Sequence, residues 1–303
     1  MSAAIDQLVI EKDAPIPTWF RVGGRADRFV EANTDGDLAA CLELDPGLLV
    51  LGDGANLLVA DEGVDRLVVR LGDAFRRVTI DERNGLVVAG AGADLSKLIH
   101  STVRAGLTGL ETIIGVPATV GGAARMNAGG AHGAIADSVR RVHAVDRAGE
   151  PVTLEREQID FGYRMSGLDD RVITSVEFGL TPGDPAAARA RLLDIMQQKK
   201  RSQPLRASTC GCAFKNPTLL EDLPGIGLAG ERVGAGLLID RAGGKGVTVG
   251  GCRISDVHAN FIETDENATA SDILRLIDRA RALVQDRFGI TLETEVVVWG
   301  RGA

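Results

Sequence analysis

The residues of this sequence best suited to chemistry are glycines and a few polar side chains set among them. Gly52-Asp53-Gly54-Ala55-Asn56-Leu57-Leu58-Val59 follows an apolar run and brings two glycines and an asparagine to a turn. Bare backbone N–H groups in such a turn can approach a pyrophosphate. The spacing is not that of a dinucleotide-binding GxGxxG turn, because no amphipathic helix follows and the chain heads towards another strand. Alone, it reads more readily as an ordinary turn between strands. Ala89-Gly90-Ala91-Gly92-Ala93-Asp94 leads into a helical pattern and carries the same two readings. The run from Gly115 to Gly130 is so poor in large side chains that it packs badly as core, yet it lets backbone line a flat, extended ligand. Among the thiols, Cys210 and Cys212 flank a single glycine. With Cys252 and His258 they supply four zinc-type ligands, but structural zinc sites favour two-residue spacers.

These residues need a scaffold. A chain of 303 residues can bury two cores, and 45% hydrophobic with 25% charged residues is the composition of a globular protein. The net charge of −8 argues against a general nucleic-acid or anionic-membrane surface while leaving room for a local anion pocket. No run of about 18 apolar residues occurs, and the N-terminus MSAAIDQLVIEKDAP lacks the pattern of an export signal. The expected location is therefore cytoplasmic, and the cysteines are expected to be reduced.

Short β-branched runs at Leu48 to Leu51, Leu67 to Val69, Leu86 to Val88, Val139 to Val145, Val172 to Phe178 and Glu295 to Trp299 predict strands. Arg83-Asn84-Gly85 predicts a hairpin turn between Val78-Thr79-Ile80 and Leu86-Val87-Val88, with positive φ at Asn84 and Gly85. Helices are predicted from Asp94 to Gly106, from Pro185 to about Gln203, where the helix would bridge two lobes, and from Ala270 to Phe288. The last has a Thr269-x-x-Asp272 capping box and Gly289 as its stop. The fold class is mixed α+β.

Taken together and in order, the motifs resemble those of the UDP-N-acetylenolpyruvoylglucosamine reductase family. The likeness rests on Thr18 to Gly24, Gly52 to Leu58, Gly115 to Gly130, Phe161 to Ser166, Gly211 to Pro217, Gly236 to Asp240 with Gly244 to Gly246, His258 to Phe261, and Leu292 to Val296. It spans nearly the whole chain. The resemblance implies an FAD-binding fold of the vanillyl-alcohol-oxidase (PCMH) type over residues 1–190, in subdomains of about 1–71 and 72–190. A C-terminal α+β substrate-binding domain would follow over 191–303. It also implies FAD as cofactor, NADPH and a UDP-sugar as substrates in peptidoglycan-precursor synthesis, and a monomer or weak homodimer. The flavin would be held by Gly52, Gly54, Ala55, Asn56, Leu57, Gly115, Val116, Pro117, Thr119, Gly121, Gly122, Asn127 and Gly129.

The family reaction carries hydride to the vinyl carbon of an enolpyruvyl ether and leaves carbanion-like charge, which must be stabilised and then protonated. The resemblance assigns Arg164, with its planar fork, to the substrate carboxylate, and Glu295 to polarising that carboxylate. Glu293 is the rival to Glu295, which would start an apolar strand where a carboxylate is costly unless partnered or protonated. Cys212 stands where the family has its proton-donating serine, and a thiol with an ordinary pKa of about 8.5 remains a competent donor. Its risks are oxidation and coupling to Cys210. Ala55 also replaces a usual serine, and the short stretch from Arg164 to Val172 lacks the extra tyrosine loop of one subclass. Substrate contacts are assigned to Tyr163, Lys200, Lys215, Asn216 and His258. A flavin oxidase of the same superfamily is disfavoured by the Cys212 and Glu295 motifs and by the lack of a His or Cys for covalent flavin attachment in the first glycine turns. A non-catalytic binding protein is the remaining rival, because the proton donor is substituted.

Overall fold

Glycine-punctuated β-branched runs build sheets, and the longer amphipathic stretches pack helices against them. The computed structural model describes residues 5–302, so the first four residues of the N-terminal stretch and the last residue of the chain lie outside the description. By packing, the chain forms two units. The first comprises residues up to Ala14, Ala26–Asp53 and Asp65–Lys199. It contains a four-stranded sheet in the order Glu11–Pro15, Arg25–Ala32, Val64–Leu71, Leu49–Leu51, the last pair parallel. A five-stranded antiparallel sheet follows, ordered Pro151–Glu155, Val139–Asp146, Arg171–Gly179, Leu86–Gly90, Val78–Asp81. Helices α1 (Asp35–Leu44), α2 (Leu95–Arg104) and α3 (Val120–Arg125) belong to this unit. Leu38, Leu67, Val69, Leu98, Ile99, Val142, Val176 and Phe178 lie in its core, each at most 2% exposed.

The second unit is not contiguous: Pro15–Arg25 and Gly54–Val64 pack with Lys200–Ala303. Two features hold them there. Phe20 and Leu58 are buried in a core with Phe214, Leu238, Ile254, Ile273 and Leu276, and strand Leu57–Val59 pairs in parallel with Val297–Trp299. A small antiparallel sheet (Thr248–Val249, Cys252–Ile254, Ile262–Thr264) and helices α5 (Ala235–Arg241) and α6 (Ala270–Phe288) complete the unit. Residue 190 lies inside helix α4 (Pro185–Ser202), and the division by packing falls later in that helix, after Lys199.

The predicted helix ends are observed. Asp94 caps α2, Thr269 and Asp272 form a capping box on α6, and Gly289 closes α6 at φ +69°. Two local expectations are corrected. The hairpin after Asp81 forms, but Asp81 pairs with Leu86, so the connection has four residues. The Asp81 carboxylate accepts from Asn84 and Arg83 N–H groups, and positive φ is confined to Gly85 (+65°), Asn84 keeping an ordinary backbone. Within the Gly115 to Gly130 run, Thr119 caps the short helix α3. Glu295 lies before its strand, which begins at Val297, and Val297 and Val298 are about two-fifths exposed rather than core.

Candidate active site

In the first unit the three glycine-bearing segments converge. A Cβ on Gly52 would lie 3.0 Å from the Thr119 hydroxyl, and one on Gly121 would lie 2.7 Å from the Cβ of Ala91. The N–H groups of Val120 and Gly121 donate to the carbonyls of Ala93 and Ala91. Side chains are excluded where these backbones meet. The resulting surface, with Gly115 at φ +78°, Gly122 against the Thr119 hydroxyl and Gly130 open beside it, is built of backbone and suits a flat, extended ligand.

Tyr163 and Arg164 form the tip of a tight turn, with Gly162 and Met165 exchanging both backbone hydrogen bonds (3.0 and 3.3 Å). Arg164 takes φ +56°, a region that side-chain-bearing residues seldom occupy and that recurs at functional sites. Its guanidinium donates to the Gly129 carbonyl at 2.9 Å and stands 5.4 Å from the centre of the Tyr163 ring. The turn is anchored by the Asn127 amide, which donates to Gly162 at 2.7 Å, and by the Ser166 hydroxyl, which donates to Arg125 at 2.7 Å. Asn127 also accepts from the Ala136 N–H, so its side chain serves this loop.

The two lysines of the basic run differ in their surroundings. Lys200 is exposed, whereas the Lys199 amine donates to the Ile114 carbonyl at 2.6 Å and its stem packs on Gly115. Burial, and secondarily the Arg164 charge, hold the Lys199 amine below its ordinary pKa. Two cations near each other in a partly buried setting are unfavourable until an anion joins them. The signal was present in helical spacing: Lys199 follows buried Leu192 and Ile195 by seven and four residues, on their face of α4.

In the second unit Cys212 and Glu295 come together on neighbouring segments. Glu295 N–H donates to the Ala213 carbonyl at 2.8 Å, and Lys215 N–H donates to the Glu293 carbonyl at 2.9 Å. Phe214 is clamped by Asn260, whose amide oxygen accepts from Phe214 N–H at 2.9 Å and whose amide nitrogen donates to the Phe214 carbonyl at 2.8 Å. Asn260 is 2% exposed, and its role was missed because an asparagine beside a conspicuous histidine gives no spacing signal. Cys212 bridges to Phe261 across the same contact and is only partly buried. Cys210 is buried, its thiol directed at the carbonyls of Leu57 (3.4 Å) and Gly54 (3.7 Å), and burial pushes it up to about 12. All four cysteines are free thiols. Among the described residues no group of three or more His, Cys, Asp or Glu could hold a metal ion.

The remaining polar candidates are tied into the fold. Glu293 is the exposed member of the glutamate pair, its side chain 72% accessible, and it pairs with Lys215. The Asn216 side-chain oxygen accepts from Ala235 N–H at the start of α5. His258 accepts at Nδ1 from Asn260 N–H, meets Phe261 edge-on at 4.9 Å, and fills the space a side chain on Gly236 would need. Burial lowers its pKa, with Lys245 adding to the effect. Gly54 is glycine for a local reason: at φ +66°, a Cβ there would lie 2.2 Å from the Pro17 carbonyl.

Comparison with known proteins matches both parts. Residues 26–155 match an FAD binding domain, and residues 203–299 match the C-terminal domain of UDP-N-acetylenolpyruvoylglucosamine reductase. Curated reductases of that name from Heliobacterium modesticaldum and Bradyrhizobium sp. are each 40% identical to this chain. The first alignment covers 93% of this chain and 87% of the relative, the second 95% and 91%. The crystal structure of the Thermus caldophilus reductase is 37% identical, covers 96% of this chain and 99% of its own, and superposes with a TM-score of 0.81. The α+β fold with an FAD-binding domain is thus as expected, and the chain belongs to the UDP-N-acetylenolpyruvoylglucosamine reductase family.

Proposed function

We propose that this enzyme reduces the enolpyruvyl ether of UDP-N-acetylglucosamine to UDP-N-acetylmuramate at the expense of NADPH, with Arg164, Cys212 and Glu295 as its catalytic residues. The observation that carries the assignment in the second unit is the 2.8 Å bond from Glu295 N–H to the Ala213 carbonyl, which sets the glutamate beside the cysteine segment. The converging glycine segments of the first unit fit FAD, since glycines let backbone approach a flat ligand closely and bare N–H groups can meet its pyrophosphate. Gly52, Gly115, Val116, Pro117, Thr119, Gly121, Gly122 and Gly129 there, with Gly54, Ala55 and Leu57 from the adjoining turn, would hold it. When bound, FAD supplies two-electron chemistry, accepting hydride from NADPH and passing it to the substrate.

Arg164 has the geometry to bind a carboxylate with two parallel hydrogen bonds, and its φ and anchored turn fix its direction before substrate arrives. Lys199 adds a second cation to the same unit, and we assign it in preference to Lys200 as the lysine that meets an anionic ligand group. Glu295, in its acid form, polarises the carboxylate by hydrogen-bonding to it as negative charge develops, and Cys212 delivers the proton from Sγ to the neighbouring carbon. Tyr163, Lys215, Asn216 and His258 are proposed to border the sugar nucleotide, the last two through the backbone they hold in place. The proposed location is the cytoplasm, and the proposed assembly is a monomer or weak homodimer. No helix among the described residues is long and apolar enough to cross a membrane.

The test is Cys212→Ala. It should keep its flavin, as read by absorbance, and be reduced by NADPH at the wild-type rate, while turnover of the enolpyruvyl substrate falls at least about 100-fold through loss of a general acid. Normal turnover would remove Cys212 from the mechanism. A wild-type enzyme that leaves the enolpyruvyl substrate unreduced would remove the function itself.

A further inference from the structure

The family likeness assigns Asn56 to the flavin, but in the structure its side chain is engaged elsewhere. The Asn56 amide nitrogen donates to the backbone carbonyl of Glu295 at 3.1 Å, and the Asn56 carbonyl accepts from Val297 N–H at 3.1 Å. Both bonds lie within the second unit. They tie the turn that opens strand Leu57–Val59 to a residue on the far side of the sequence.

Glu295 has particular need of such a tie. It precedes the strand Val297–Trp299, so no regular ladder fixes its backbone. A side chain's direction is set by the two peptide planes flanking its Cα. The plane on the N-terminal side is held through Glu295 N–H bonded to the Ala213 carbonyl at 2.8 Å. The plane on the C-terminal side is held through the Glu295 carbonyl, and Asn56 is the donor there. Asparagine suits this task, because its planar amide offers two donors on a short side chain with two torsions. Aspartate has the same shape and would oppose an oxygen to an oxygen.

The platform carrying Asn56 is itself fixed. Trp19 N–H donates to the Gly54 carbonyl at 3.1 Å, and the buried Cys210 thiol reaches the Leu57 carbonyl at 3.4 Å. Cys210 lies two residues from Cys212, so one short turn holds the segment of the proton donor through Cys210 and that of the glutamate through Asn56.

We propose that Asn56 is a positioning residue for Glu295: its side-chain amide orients the Glu295 peptide, and through it the carboxylate, during proton delivery to the substrate. The proposal rests on the assignment of Glu295 to catalysis. Asn56→Ala and Asn56→Asp are compared with wild type for flavin content, thermal midpoint and the two half-reactions followed by flavin absorbance. The same Asn56 substitutions are then made in a Glu295→Gln background.

Both single variants should retain flavin and be bleached by NADPH within about twofold of the wild-type rate. Reoxidation by the enolpyruvyl substrate should slow at least about 10-fold, of the size expected when a transition-state contact is misplaced. In the Glu295→Gln background neither substitution should slow reoxidation further, because residues acting as a unit are not additive. Flavin loss in both variants, equal slowing of both half-reactions, or an undiminished Asn56 effect without the Glu295 carboxylate would each overturn the proposal. Glu295→Gln turning over at the wild-type rate would instead overturn the assignment of Glu295, and the proposal with it.

Discussion

Asn260→Ala tests the clamp beneath the cysteine segment. Asn260 is 2% exposed and Phe214 1%, and the two are joined by hydrogen bonds of 2.9 and 2.8 Å that satisfy both backbone groups of Phe214. Alanine would leave a buried N–H and a buried C=O without these partners, in a space vacated by an amide. Orphaning a buried backbone group costs about 1–3 kcal/mol, so the pair amounts to roughly 2–6 kcal/mol. At about 2–4 °C per kcal/mol for a chain of this size, the thermal midpoint should fall by roughly 5–20 °C. Circular dichroism melts at matched protein and flavin concentrations would read it, with Lys97→Ala as the exposed control, expected within about 0.5 kcal/mol of wild type. A drop of less than about 2 °C for Asn260→Ala would show that water or a shifted backbone satisfies Phe214, and the inference from burial to rigidity would fail.

The two neighbouring lysines should separate cleanly. Lys199→Met is expected to raise the KM of an anionic ligand, NADPH or the UDP-sugar, at least about fivefold at low ionic strength, and Lys200→Met to change it less than about twofold; equal effects would reject the choice of Lys199. His258 gives a pH signature. Its folded pKa is below the ordinary value of about 6.5, so as pH falls through that value the unfolded chain takes up a proton that the folded chain refuses, and stability declines until the folded pKa is passed. Urea midpoints at pH 5.5 and 7.5 should differ more for wild type than for His258→Gln, and identical differences would assign the slope to other groups.

Much of this protein could be read along the chain. Helices α2, α4 and α6 were legible because their apolar spacing, caps and stops are local: Asp94, Thr269 with Asp272, and Gly289 each act within a turn of their own helix. Helix α1 has a capping box of the same kind, Thr34 with Asp37, and was missed because its buried face is weakly patterned. The ordered motifs pointed to the family, and with it to the roles proposed for Arg164, Cys212 and Glu295.

Other features depend on contacts between residues far apart in sequence. Glycine turns look alike in one dimension. Only folding shows that Gly52 meets Thr119 and Gly121 meets Ala91, while Gly54 serves a close approach to Pro17 in the second unit. The choice of Lys199 over Lys200 is a matter of which side of α4 is buried, and the tasks of Asn56 and Asn260 are set by carbonyl and N–H groups that other segments would otherwise leave unsatisfied. Local sequence fixes the torsions and caps of each element because those interactions close within a few residues. Hydrogen-bond partners for irregular backbone come from whatever the fold brings alongside, and the residues carrying the proposed proton donor and its glutamate lie on such backbone.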